Sequence, residues 1–458
     1  MTPGPHITAA LLSVGDELAL GQTLDTNSRW LAERLFDLGF RTTEHATVDD
    51  DPERIAGAMT RLAAANDLVI CTGGLGPTAD DLTRHALARA LAGAPAGPTP
   101  DLVADEDALE AVRAWFDRRP GGMPEQNAVQ AMRPPGATCL ANPHGTAPGL
   151  YARDDASACD LFCLPGPPRE MRPMFEREIA ARLAGHAGTV TRARYLLTIG
   201  LGESAVAEQL GTLMDRGRED AGEVLVGTTA SRGVVTCRLR ATAADNNTAA
   251  GMLDEVEAQI RERLPAVIFD RRDPDPSAGS DHDLSDALPR AVLEVLRARH
   301  EKIAVVESCT GGGLGAELTS VPGSSDVFFG GWITYENAAK VEMVGVPPDA
   351  FSAVGAVSRE CAQAMAAGGL DRAREMDRAV AHAIAITGIA GPAGGGDDKP
   401  AGTVWIARAS ADGTGEARRF LFRGGRAAVR EWSSRAALAI LRLHLIGESM
   451  TLLAETHD

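Results

Sequence analysis

Ile303-Ala304-Val305-Val306 runs directly into Glu307-Ser308-Cys309-Thr310-Gly311-Gly312-Gly313, and the apolar-periodic segment Leu314 to Leu318 follows. The apolar run reads as a buried parallel strand, and the periodic segment as the helix after it. Gly lets the chain turn tightly and approach a ligand. The free N–H groups at a helix start favour an anion or a developing negative charge. Ser308 stands at that mouth with its hydroxyl available. Capping of the helix by Ser308 and Thr310 is the plainer use of the same residues.

Towards the C-terminus, Tyr335 and Lys340 lie in Trp332-Ile333-Thr334-Tyr335-Glu336-Asn337-Ala338-Ala339-Lys340, and Thr387-Gly388-Ile389-Ala390-Gly391-Pro392 follows a second strand, Ala383 to Ile386. Gly424-Gly425-Arg426-Ala427-Ala428-Val429-Arg430 opens a long helix with Val429, Trp432, Ala436, Ile440 and Leu443 on one face. Before the opening stretch come a helix, Leu284 to Arg299, and a polar Pro- and Gly-bearing linker, Arg271 to Asp283. Tyr195 to Leu264 has the order strand, short helix, two strands, helix, a small α+β unit.

In the first third, the strand Ala9 to Val14 leads into Gly15-Asp16-Glu17, with Asp25 ahead of a helix that Gly39 stops. Asp67 to Thr72 is a strand ending in Gly73-Gly74-Leu75-Gly76-Pro77-Thr78-Ala79-Asp80-Asp81. Asn142-Pro143-His144-Gly145-Thr146-Ala147-Pro148-Gly149 and Leu164-Pro165-Gly166-Pro167-Pro168-Arg169-Glu170 are further loops of fixed shape. Strands alternating with helices mean a parallel, doubly wound sheet, which binds ligands at the carboxyl ends of its strands.

At 458 residues the chain holds two or three domains. A net charge of −18 argues against a nucleic-acid or anionic-membrane surface. No apolar run reaches a membrane-spanning length, and the N-terminus lacks a basic segment followed by an apolar one, so a cytoplasmic protein is expected. The odd count of seven scattered Cys speaks against a disulfide framework or a structural zinc site. Cys309 is a rival nucleophile beside Ser308, or a small residue packed behind the turn.

In order and spacing, the motifs from Leu284 to Leu443 resemble the C-terminal domain of the CinA family, which includes nicotinamide mononucleotide (NMN) deamidases. Residues 5–175 resemble that family's molybdopterin-binding-like domain, associated with metal-dependent hydrolysis of ADP-ribose. Residues 190–270 resemble its middle domain, similar to KH modules, but with no Gly-x-x-Gly clamp flanked by basic residues. The fold expected is α/β: two three-layer α/β/α domains with mainly parallel sheets (5–175 and 284–450), joined by the small α+β domain and the 271–283 linker. The resemblance also implies a homodimer and small-molecule nucleotide ligands, NMN and ADP-ribose.

Amide hydrolysis needs a nucleophile, a proton acceptor and donors for the oxyanion. Ser308 is the nucleophile. None of the ten His falls in these motifs, so Lys340 and Tyr335 are the available bases. A lysine must lose its proton to act, so an apolar pocket has to lower its pKa; the flanking Ala338, Ala339, Val341 and Met343 could wall it. The family's deamidases carry a matching Ser, Tyr and Lys, and the resemblance implies no cofactor for this reaction. Gly311, Gly312 and Gly313 would serve the oxyanion or the nucleotide phosphate, with Thr387 and Gly388 opposite and Thr310 counted among the substrate-binding residues. Arg426 and Arg430 resemble the family's Gly-x-Arg pattern and suit a phosphate. Ala393 and Asp397-Asp398 depart from the common family spelling, which bears on substrate fit.

Pyrophosphate hydrolysis needs a divalent cation held by carboxylates. Asp16, Glu17, Asp80 and Asp81 are the candidate ligands, with Asp25 nearby. Gly73, Gly74 and Gly76 would cradle phosphates, with Thr146 counted among the binding residues. Asp80 and Asp81 as helix-start acids are the alternative. Two other functional readings remain: a single active domain beside a nucleotide-binding relic, and a pterin-binding protein.

Overall fold

The structure, a computed structural model, describes residues 7–117, 120–183, 190–215, 223–274, 286–352 and 355–456. The N-terminal sheet runs Arg41–Val48, Thr8–Val14, Leu68–Thr72, Cys159–Leu164, Gly149–Asp154, Thr138–Leu140 from edge to edge. The first four strands are parallel and the last two pair antiparallel. Strand alternation splits the core in two. Ala9, Leu11 and Ile70 pack against Trp30, Leu31, Met171 and Phe175. Ala10, Leu12 and Val69 pack on the other face, against Ile55, Met59, Leu62 and Leu87. Helices therefore cover both faces, which buries a parallel sheet. The strand Arg41–Val48 is absent from the sequence reading: at the sheet edge it stays half exposed, and only Ala46 and Val48 of its eight residues are apolar. The closing helical run from Pro168 continues to Leu183, past 175.

The middle domain is a four-stranded antiparallel sheet in the order Leu225–Ser231, Val234–Ala243, Val190–Ile199, Ile268–Arg272. Helices Glu203–Leu210 and Asn246–Arg263 complete its core around Leu253, Val256 and Ile260. Asp245 caps the longer helix through the N–H groups of Asn247 and Thr248. Arg271 and Arg272, read as linker, are the end of the last strand; 275–283 lie outside the described residues.

The C-terminal sheet runs Phe328–Ile333, Lys302–Glu307, Val380–Gly388, Thr403–Ser410, Gly415–Leu421, Glu455–Thr456. Its first three strands are parallel and the others antiparallel. The expectation of mainly parallel sheets thus describes the half that carries the Ser308 turn, while the other half returns by hairpins. Val306, Ala385 and Trp405 face the helix Arg359–Met376 through Cys361, Ala362 and Met365. Val305, Ile384 and Ile406 face helices Ala287–Arg299 and Arg426–Ile446.

The last helix is buried on nearly every side, more than its one apolar face requires. The middle domain covers the rest of it. Arg442 donates to the carbonyls of Ala266 and Ile268, both at 2.7 Å, and Arg435 donates to that of Arg232. A Cβ on Gly233 would come within 2.6 Å of the Trp432 ring. Ile199 of the middle domain joins the C-terminal core. The middle and C-terminal domains therefore share packing.

Candidate active site

Ser308 lies just past the Lys302–Glu307 strand and is held to the next one by its N–H on the Ile386 carbonyl at 2.9 Å. Gly311 and Gly312 have φ of 57° and 93°, left-handed values that suit Gly and turn the chain into the helix Gly313–Thr319. Ser308 is 7 % exposed and Lys340 is 1 % exposed. The Lys340 Nζ lies 3.2 Å from Ser308 Oγ, and donates to the carbonyls of Thr334 at 2.8 Å and Tyr335 at 3.3 Å. Burial holds the ammonium pKa below its ordinary value, against the pull of Cys361, Cys309 and Glu336. Three N–H groups of the ammonium match these three acceptors; once one proton is lost, two N–H groups can stay on the carbonyls while the lone pair turns to the serine hydroxyl.

Of the flanking residues expected to wall Lys340, only Ala339 and Val341 are half-buried. Ala338 and Met343 are exposed, and Cys361 on the helix Arg359–Met376 is among the groups that wall the amine. Tyr335 is 57 % exposed, so it is no core aromatic. Its hydroxyl accepts from Arg426 Nη2 at 3.0 Å, and only its carbonyl meets Lys340. The structure therefore brings Ser308 and Lys340 into contact and sets the Tyr335 hydroxyl at the rim with Arg426. Arg426 also donates to the Gly391 carbonyl at 3.2 Å.

The three glycines do not offer free donors. Gly311 N–H bonds the Ser308 carbonyl at 3.1 Å and Gly313 N–H the Thr310 carbonyl at 3.2 Å. Gly312 N–H donates to Glu307, whose buried carboxylate (1 % exposed) also accepts from the N–H groups of Leu314 and Gly315, at 3.0, 3.1 and 2.8 Å in turn. Glu307 thus supplies the anion that the helix start would otherwise take from a ligand. Arg430, expected on a phosphate, clamps the Thr310 carbonyl with Nε at 3.0 Å and Nη2 at 2.6 Å. The Thr387 hydroxyl donates to the Ala356 carbonyl at 2.8 Å. Gly388 is small for packing: a Cβ there would meet Val404 Cγ2 at 2.7 Å. The thiol of Cys309 is buried, which pushes its pKa up to about 11, so it stays protonated and packs behind the turn.

The N-terminal motifs converge on a cavity of about 550 Å³ at the carboxyl ends of the sheet. Its lining includes Gly73, Gly74, Gly76, Thr146, Glu17, Asp25, Asp50, Asp80, Asp81 and Glu170, with no Lys, Arg or His among the described residues. Asp81 braces its own loop: it accepts from Gly76 N–H at 2.7 Å, Thr78 N–H at 2.8 Å and the Thr78 hydroxyl. Arg84, buried beneath, donates to the carbonyls of Leu75, Gly76 and Asp81. Gly73 N–H bonds the Leu164 carbonyl at 3.0 Å, and a Cβ on Gly73 would lie 2.3 Å from the Val14 carbonyl oxygen. Thr146 Oγ1 accepts from Gln130 at 3.1 Å.

Asp25 caps the helix Thr26–Asp37. Burial would raise its carboxyl pKa, but hydrogen bonds from Ser13 and Ser28 bring it below the ordinary value. Asp16 and Asp50 exchange N–H bonds at 3.0 and 3.2 Å. The Asp50 pKa is raised, first by burial and then by Asp16, Glu17 and Asp80. Asp50 was missed in the sequence because it lies beyond the Arg41–Val48 edge strand, far from any glycine motif. Among the described residues, no three His, Cys, Asp or Glu side chains are grouped as a metal cage requires.

The fold and these loops define a tripartite α/β protein: a doubly wound domain with an acidic glycine-loop pocket, a small α+β domain, and a mixed α/β domain with a Ser–Lys contact. Residues 10–185 match the family described as "Probable molybdopterin binding domain", 193–269 the "Damage-inducible protein CinA KH domain", and 285–445 the "CinA C-terminal domain". A "CinA-like protein" of Salinibacter ruber is 42 % identical over 433 residues, 94 % of this chain and 97 % of that one. Another, of Geobacter metallireducens, is 39 % identical over 439 residues, 95 % and 99 % of the two chains. A solved structure of competence/damage inducible protein CihA from Agrobacterium tumefaciens is 36 % identical, covering 35 % of this chain and 95 % of its own, with a TM-score of 0.34. The chain belongs to the CinA family. No helix among the described residues is long and apolar enough to cross a membrane.

Proposed function

We propose that the C-terminal domain deamidates NMN to nicotinate mononucleotide and ammonia, with Ser308 as nucleophile and Lys340 as base. The observation that carries this reading is the buried Lys340 amine 3.2 Å from Ser308 Oγ. Ser308 Oγ attacks the carboxamide carbon as its proton passes to Nζ. The C–N bond then breaks, and Lys340 returns the proton to the leaving ammonia. Water, deprotonated by the same amine, attacks the acyl-enzyme; the C–Oγ bond breaks, Lys340 returns the proton to Ser308 Oγ, and the carboxylate leaves. Arg426 and the Tyr335 hydroxyl stand at the rim, where a nucleotide phosphate would meet a guanidinium.

For the N-terminal pocket we infer ADP-ribose hydrolysis to AMP and ribose 5-phosphate. A pyrophosphate entering a pocket lined by six acids and no basic side chain needs a cation with it. Glu17, Asp50 and Asp80 line the pocket, where one or two carboxylates plus phosphate oxygens would hold a cation. That cation would screen the phosphates and activate water. Asp81, with its oxygens engaged in the loop, fits this role poorly, which favours the second reading of this domain as a nucleotide- or pterin-binding module. The deciding experiment incubates purified protein with NMN and with ADP-ribose, each with divalent cation and with chelator. Ammonia release in both conditions and AMP release only with cation are expected. Deamidation that dies with chelator and returns with cation would sink the serine mechanism. Binding of molybdopterin without turnover of ADP-ribose would favour the second reading.

A further inference from the structure

Several donors around the acidic cavity of the N-terminal domain are engaged within the fold. Gly73 N–H bonds the Leu164 carbonyl, and Gly76 N–H and both donors of Thr78 bond Asp81. Asn27 Nδ2 donates to the Gly166 carbonyl at 2.7 Å. Thr146 differs. It lines the cavity half-buried, and no described residue accepts from its hydroxyl. What the hydroxyl has is a donor behind it. Gln130 Nε2 donates to Thr146 Oγ1 at 3.1 Å, and Gln130 Oε1 accepts from Asn127 Nδ2 at 2.9 Å. Gln130 is 2 % exposed and Asn127 6 % exposed. Two buried amides therefore stand in line behind one hydroxyl at the cavity wall.

The Thr146 backbone is braced. Asn142 Nδ2 holds the Ala147 carbonyl at 2.8 Å and the Glu170 carboxylate at 2.9 Å, and a Cβ on Gly145 would run into that carboxylate. Rotation of the hydroxyl is the freedom left. A threonine hydroxyl has one proton and two lone pairs. An amide N–H on its oxygen keeps the proton off that side and polarises the O–H.

We propose that Gln130 is a positioning residue: with Asn127 behind it, it turns the Thr146 O–H into the cavity, to donate to a phosphate oxygen of a nucleoside diphosphate. The inference rests on the reading of this cavity as a nucleotide-phosphate site. Six acids and no basic side chain among the described lining residues repel a phosphate, so a neutral donor aimed inward works beside the cation. A hydrogen bond to a charged group is the stronger kind. Gln130 itself does not touch the ligand. The sense of the chain is what counts: Asn127 to Gln130, Gln130 to Thr146, Thr146 to phosphate.

Two nearly isosteric changes reverse that sense. Gln130→Glu puts an acceptor where Thr146 has a donor. Asn127→Asp draws the Gln130 N–H to the new carboxylate and leaves the Gln130 carbonyl facing Thr146. In both, the Thr146 O–H turns back into the wall. Thr146→Val removes the hydroxyl. The probe is ADP with Mg²⁺, titrated calorimetrically into each purified full-length variant, with a thermal melt of each and ADP-ribose turnover measured in parallel.

Thr146→Val is expected to bind ADP about tenfold or more weakly, the scale of one hydrogen bond to a charged group. Gln130→Glu and Asn127→Asp should each fall about as far. The double variant Gln130→Glu/Thr146→Val should stay within about twofold of Thr146→Val, because both changes act through one hydroxyl. Wild-type affinity in Thr146→Val, or in Gln130→Glu with a normal melt, overturns the inference. Losses that multiply in the double variant, as charge repulsion or loosened packing would make them, overturn it too. Where Gln130→Glu melts too early to bind, Asn127→Asp decides in its place. Wild type that binds ADP and is weakened by these changes, yet leaves ADP-ribose intact, keeps the positioning chain and removes the hydrolase reading. Wild type that binds no ADP with Mg²⁺ removes the inference.

Discussion

The two loop sites of this chain are built with the same device and put to different use. Each follows a parallel strand through glycines into a helix. Each uses a carboxylate to hold the loop's own N–H groups, Asp81 in the first and Glu307 in the second. Each uses an arginine to hold its carbonyls, Arg84 on Leu75 and Gly76, Arg430 on Thr310. The second loop then sets a hydroxyl against a buried amine, whereas the first opens onto a cavity of about 550 Å³. Glycine loops, then, are not anion sites by default. Where the protein supplies its own anion, the loop becomes a mount for something else.

The sharpest way to break this contrast is Ser308→Ala, expected to lose on the order of 10³-fold or more in deamidation, the scale of removing a nucleophile. It should leave ADP-ribose hydrolysis within about twofold, because the change is small and local. Parallel assays on one preparation check it, with a thermal melt for folding. Loss of both activities in a protein that melts normally would show that the sites are not separate.

Lys340→Arg comes next, with deamidation down on the order of 10²-fold or more, since a guanidinium keeps its proton and cannot act as base. The pH profile of wild-type kcat/KM sharpens the same point. With Lys340 lowered by burial, activity should rise with pH as the amine is freed, and level off below the ordinary value of 10.5. A flat profile across that range would leave Lys340 an electrostatic part only.

Breaking the two braces compares the loops directly. Asp81→Asn should lower the melting temperature and weaken the N-terminal activity while deamidation holds, because an amide cannot accept all three of the loop's hydrogen bonds. Arg430→Gln should do the reverse, costing about tenfold in deamidation through a loosened Thr310 carbonyl. Asp81→Asn with wild-type stability and a changed metal requirement would return Asp81 to the cation.

The smallest effect is in stability against pH. His382 and His444 have lowered pKa values, burial being the main cause in each. A base whose folded pKa is below its unfolded value costs stability as pH falls: the loss begins near 6.5 and is complete below the folded pKa. Asp50 runs the other way. Its raised carboxyl pKa is a penalty at neutral pH, relieved as pH falls through that raised value. Acid should therefore weaken the C-terminal domain through His382 and His444, while a divalent cation at neutral pH should raise the N-terminal melt; calorimetry at several pH values with and without cation resolves the two.

Much of this was legible in the chain itself. Apolar runs such as Ile303 to Val306 and Leu68 to Ile70 are long enough to read as buried strands, and Gly beside them marks turns that other residues would strain. Those local rules place Ser308 and the Gly73 to Asp81 loop at strand ends, and the order of motifs points to the family. Distance in three dimensions is not written that way. Lys340 is buried with Cys361 of a later helix close by, while Ala338 and Met343 beside it in sequence stay exposed. The N–H groups of Gly311 to Gly313 look available in a sequence and are spent in the fold, because Glu307 bends back to take that of Gly312 and the turn's own carbonyls, Ser308 and Thr310, take those of Gly311 and Gly313. Arg435 and Arg442 carry nothing in the sequence that names their partners, which are carbonyls of the middle domain. Local chemistry determines where a group stands along the chain. Only packing between distant segments decides which groups lose water and which partner they lose it to.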